Sequence, residues 1–122
     1  VNDPRGLAPQ GWHIPSDAEW TTLETTLGGN SVAGGKMKEP GMANWLTPNT
    51  GATNISGFAG LPGGTRSFNQ TFSDAGTEGN WWSATEFYGD YAYARYLNYA
   101  RGAILTTDYF KHVGLSVRCL RD

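Results

Sequence analysis

Two histidines, one cysteine and eleven acidic residues are the main reactive equipment of this chain, and their spacing is poor for catalysis. His13 and His112 each lack a second His or Cys at metal-site spacing, so they read as a structural and a surface residue. Cys119 is the single cysteine and can form neither an internal disulfide nor a thiolate cage. Gly35-Lys36 misses the phosphate-loop pattern twice, with Asn30 where a glycine is needed and Met37 where a Ser or Thr is needed. Asp74, Glu78 and Asn80 are possible oxygen ligands for a structural Ca²⁺, but their spacing matches no EF-hand and solvated turn residues are expected instead. No nucleophile, base and metal constellation emerges, so the expectation is a protein without catalysis or cofactor.

A different chemistry gathers in the second half of the chain. Asn80, Trp81, Tyr88, Asp90, Tyr91, Tyr96, Asn98 and Tyr109 are the candidate ligand contacts, with Tyr93, Tyr99 and Asp108 nearby in sequence. Tyr and Trp supply rigid contact area with a polar handle, while Asn and Asp supply adaptable hydrogen bonds, a mixture suited to glycan or protein recognition. Packing of one alternating strand face accounts for about half of them.

These residues need strands to hold them. Gly79 to Glu86 alternates Trp81, Ser83 and Thr85 against Asn80, Trp82, Ala84 and Glu86, so one indole must face inward; Trp81 is the candidate for outward contact. Tyr91 to Tyr99, Ala103 to Phe110 and Leu115 to Arg121 read as further strands of a meander, the last with Leu115, Val117 and Cys119 inward. Upstream, Ser16-Asp17-Ala18-Glu19 is a capping box that opens a helix over 17–27, with Trp20, Leu23 and Leu27 on one stripe and Gly28-Gly29 as the stop. A weaker helix over 31–38 carries Gly34-Gly35, each costing about 1 kcal/mol relative to Ala. Trp45 and Leu46 are expected to pin the long loop 39–56, and Trp12 to plug the Pro- and Gly-rich segment 1–15 onto the core.

Composition agrees with one domain spanning 1–122. Seventeen Gly, six Pro and 13% aromatic residues describe tight turns between short strands rather than a helical bundle. A net charge of -2 with scattered basic residues disfavours nucleic acid, and no apolar run reaches the roughly 18 residues of a membrane span. The first residues lack a signal-peptide pattern, which implies an intracellular chain or an already processed piece.

The succession Gly11-Trp12-His13-Ile14-Pro15-Ser16-Asp17-Ala18-Glu19-Trp20, Val32-Ala33-Gly34-Gly35-Lys36, Gly57-Phe58, Leu61-Pro62-Gly63-Gly64-Thr65-Arg66, Trp82-Ser83-Ala84-Thr85-Glu86 and Gly114-Leu115-Ser116-Val117-Arg118-Cys119 resembles the Fibrobacter succinogenes major paralogous domain family over nearly the whole chain. The resemblance implies an α+β fold of the C-type-lectin-like and formylglycine-generating-enzyme-like kind. In it, two short helices pack on a small twisted antiparallel sheet with long loops. It further implies an extracellular or cell-surface bacterial protein of a family without an assigned biochemical activity, and the aromatic cluster of the second half makes ligand recognition or adhesion the expected role. The alternative is an architectural module joined to neighbours through its sheet edges. Formylglycine-generating chemistry needs paired cysteines, which Cys119 alone cannot supply, and Glu39-Pro40 is followed by Gly41 where the lectin calcium motif needs an amide. Two departures stand out. Ala8 occupies a position where the family commonly has a Cys, a plausible partner for Cys119. The chain also begins after the family's N-terminal strand segment, which leaves the terminal strand edge open to a partner chain or an N-terminal peptide.

Overall fold

A computed structural model describes residues 6–122. The chain forms helix α1 (Asp17–Thr26) and helix α2 (Asn30–Met37) ahead of most of its strands. The capping box forms as the sequence dictates: Ser16 Oγ accepts from the Glu19 amide at 3.3 Å, and the Ser16 amide donates to Glu19 Oε2 at 2.8 Å. Gly29, with φ of 95°, donates its amide to Glu24 O and ends α1, after which α2 begins at once.

The two glycines inside α2 have a packing reason. A Cβ on Gly34 would sit 2.2 Å from Ala103 O, and one on Gly35 would sit 2.3 Å from Gly51 O. Their intrinsic helix cost is accepted because only a bare backbone lets α2 lie this close to its neighbours.

A three-stranded antiparallel sheet of β4 (Glu78–Tyr88), β5 (Tyr91–Asn98) and β6 (Ile104–Phe110), in that order, receives the helices on one face. Two smaller antiparallel pairs complete the architecture, β1 (Trp12–His13) with β7 (Leu120–Arg121), and β2 (Thr65–Arg66) with β3 (Phe72–Ser73). The fold is α+β. Its core joins Trp20 of α1, Met37 of α2, Trp45 and Phe58 of the long loops, and Trp81, Leu97 and Ile104 of the sheet. Phe58 is wedged between Trp20 and Trp81, with ring centroids 5.9 Å and 5.3 Å away.

Two cations are sealed in this body. Lys38 donates Nζ to Asn98 O and Arg101 O at 2.9 and 2.8 Å and lies over the Trp45 ring, and burial lowers its pKa to about 8. Arg95 of β5 reaches α1, with Nη1 2.6 Å from Asp17 Oδ1 and Nε 2.5 Å from Glu24 Oε1.

Three expectations from the sequence are corrected. Trp12 is exposed on β1 rather than plugged into the core, and Leu46 is exposed while its neighbour Trp45 alone pins the loop. The strand expected over 115–121 shrinks to Leu120–Arg121. The preceding segment instead crosses beside β4, with Ser116 N donating to Asn80 O and Ser116 O accepting from Trp82 N, which turns Val117 outward. β7 finds a neighbour within the chain, pairing Trp12 with Arg121 and His13 with Leu120.

Candidate functional site

The pleat of β4 and β5 sorts the candidate contacts into three places. Trp81, opposite Arg95, faces the helices and is only 5% exposed, so it belongs to the core and is withdrawn as a ligand contact. Alternation requires one buried indole, but which one depends on where α1 and Phe58 pack, information that lies about sixty residues upstream in the case of Trp20.

On the opposite face, four candidates hold one another. Asn98 Nδ2 donates to Tyr96 Oη at 2.7 Å, Tyr96 donates to Glu78 Oε1 at 3.1 Å, and Tyr109 donates to Asn80 Oδ1 at 3.0 Å. Trp82 stands edge-on to Tyr109, with centroids 6.3 Å apart. Burial, followed by the nearby Glu78 charge, pushes the Tyr109 phenol up to about 12, and burial also raises Tyr96. Both phenols are therefore neutral hydrogen-bonding groups at physiological pH. Asn80 is wholly buried and its Nδ2 has no partner among the described residues.

Tyr88, Asp90 and Tyr91 form the third group, at the tip of the β4–β5 hairpin. Tyr88 is 80% and Tyr91 43% exposed, and Phe87 beside them is also exposed. Rings run on from here: Phe87 meets Tyr93 at 5.1 Å, Tyr91 meets Phe110 at 5.6 Å, and Phe110 meets His112 at 4.7 Å. An aromatic surface thus projects into solvent at the end of the sheet.

Next to this tip opens a cleft of about 720 Å³. Trp82, Ala84 and Ala92 line it from the sheet, Leu7 and Ile14 from the N-terminal segment, and Val117 from the C-terminal one. Its polar groups are Ser83, His13 and Lys111. Lys111 Nζ bonds Glu86 Oε1 and Gly89 O, both at 2.8 Å, and so ties the cleft to the aromatic hairpin. His13 lies between two carboxylates, with Nδ1 2.7 Å from Asp122 Oδ1 and Nε2 2.9 Å from Glu19 Oε1. Those contacts, Asp122 foremost, raise the His13 pKa, while the Ser16 amide and then His13 lower Glu19 to about 2. Both ring nitrogens are engaged, which favours the protonated imidazolium between the two carboxylates.

Sequence reading missed this cleft. His13 and Asp122 lie 109 positions apart, and only the β1–β7 pairing brings them together. Trp82 was legible as the second indole of the alternation. Of the residues weighed for a cation, the Asp74 backbone carbonyl accepts the amides of Thr77 and Glu78, and the Glu78 carboxylate accepts from Tyr96. Among the described residues no group of three His, Cys, Asp or Glu side chains is placed to hold a metal ion.

The capping box, the Gly34-Gly35 approach, the Trp82 wall of the cleft and the Ser116 crossing all fall on the stretches that carried the family resemblance. The family described as the Fibrobacter succinogenes major domain matches residues 1–121. The chain belongs to this family. No curated protein and no solved structure matches it. In this Fibrobacter major domain the cleft and the aromatic tip share one end of the molecule, joined by Lys111.

Proposed function

We propose that this Fibrobacter major domain is a non-enzymatic recognition or adhesion module with a C-type-lectin-like architecture, carried by a secreted or surface bacterial protein. Its ligand is a glycan or a protein, and it binds through the Trp82 cleft and the neighbouring aromatic hairpin. The observation that carries this reading is the open cleft of about 720 Å³, with an apolar lining and a few polar groups, beside the exposed rings of Phe87, Tyr88 and Tyr91. A purely packing role for the tyrosines does not account for rings left in water at the hairpin tip.

Glycan and host-protein arrays probed with the purified domain test the proposal. Tyr88→Ala removes an exposed ring without touching the core, and it is expected to weaken binding about tenfold, as the loss of one aromatic contact does. Trp82→Ala is expected to weaken it further. Arrays without any specific signal, or a signal equal in both variants and the wild type, would overturn the proposal.

A further inference from the structure

The three-stranded sheet ends on β6, whose outer edge has no strand partner among the described residues. At the start of β6 the edge is covered by α2, where the Gly35 amide donates to Gly102 O at 2.7 Å. Beyond Ile104 no described residue pairs with it. The phase of the ladder follows from one bond: Lys111 N donates to Asp90 O at 2.8 Å, so odd-numbered residues of β6 bond to β5 and even-numbered ones turn outward. Thr106 and Asp108 therefore present N–H and C=O to solvent, and Phe110 presents its N–H, its carbonyl being taken by Val113 N. This edge has no proline, lysine or bulge of the kind that blocks pairing.

Charge gives the edge a preference. Asp108 is exposed and has no ion-pair partner among the described residues. Across the ladder from Thr106 stands Arg95, whose guanidinium is already shared by Asp17 and Glu24. Two carboxylates thus share one buried cation, and Asp108, one step along the same face opposite Tyr93, adds a further negative charge on this side of the sheet. One step further along the same face, Phe110 and Tyr91 offer an aromatic shelf.

We infer that the outer edge of β6 takes up an extended peptide by strand addition, with a Lys or Arg opposite Asp108 and an apolar residue two positions away against Phe110. This deepens the recognition reading and rests on it. Backbone pairing with Thr106 and Asp108 supplies affinity, and alternate side chains supply selectivity. A second copy of the chain fits less well. Antiparallel self-pairing centred on Asp108 opposes two like charges, and centring it on Thr107 carries the partner's turn after Phe110 toward α2.

A random linear peptide library displayed on phage, selected on the intact domain, is the probe. Selected peptides are expected to carry Lys or Arg two positions from an apolar residue, and to protect the Thr106 and Asp108 amides from hydrogen exchange. Thr106→Pro deletes an outward N–H and no β5–β6 bond, so it should keep the fold and weaken the peptides about tenfold. Asp108→Lys, which leaves the backbone edge intact, should turn the selection toward acidic peptides and carries the test if the proline variant unfolds. Failure to select any peptide, or equal binding to a folded Thr106→Pro and to wild type, overturns strand addition. Peptides weakened by Trp82→Ala or Tyr88→Ala but not by Thr106→Pro also overturn it, while leaving the recognition reading in place.

Discussion

Helix α1 is fastened to the rest of the molecule by two clusters of the same composition, one cation between two carboxylates, placed in opposite surroundings. At the inner cluster Arg95 is 1% exposed and bridges Asp17 and Glu24; at the outer one His13 is 39% exposed and bridges Glu19 and Asp122. The inner guanidinium has given up its water, so its carboxylates are obligatory partners, and removing either side strands a charge. The outer imidazole keeps much of its water, so its bonds are weak and its charge depends on pH. The same arrangement is thus a fixed tie in one place and an adjustable one in the other.

The sharpest way to break this comparison is Arg95→Ala. With Asp17 one-third exposed and able to relax into water, the variant is expected to lose about 3 kcal/mol in urea unfolding, the low end for breaking a buried pair. A loss no larger than that of a His13 variant would show that the two clusters do not differ. Arg95→Lys keeps the charge but not the planar fork that meets Asp17 and Glu24 together, and an intermediate loss of about 1–2 kcal/mol is expected.

The smallest effect belongs to the outer cluster and is read as a pH profile of Tm. The folded pKa of His13 is raised above 6.5, so its contribution is complete below pH 6.5 and fades as pH rises through the folded value. Glu19 is lowered from 4.5 to about 2, so its contribution is complete above pH 4.5 and fades as pH falls toward 2. Stability from this cluster should peak between these limits. His13→Gln should flatten the neutral-side slope; a slope unchanged in that variant would assign the pH dependence elsewhere.

Local signals in the sequence were reliable where short-range physics decides. Ser16 and Glu19 cap α1 because they are three residues apart, and Trp20 is buried because it heads the apolar stripe. The hairpin tyrosines lie on strands because alternation and aromatic content agree. Long-range choices were not legible. The network of Tyr96, Asn98, Tyr109 and Asn80 looks like a set of ligand contacts in sequence, yet most of its polar groups bond one another or Glu78, with Asn80 Nδ2 left over. Arg95 and Lys38 carry no sequence mark of burial, because what buries them comes from elements far along the chain.

By itself, the order of residues determined two helices, the strands over 79–110, the count of indoles available to a core, and membership of a family; the long strand it suggested over 115–121 did not form. Only the folded chain decided which tryptophan faces inward, which tyrosines reach solvent, that Trp12–His13 joins Leu120–Arg121, and that the free edge lies on β6. The division has one cause. Capping, periodicity and turn chemistry act over a few residues, whereas burial and strand partnership are settled by contacts between segments that meet only after the chain has closed on itself.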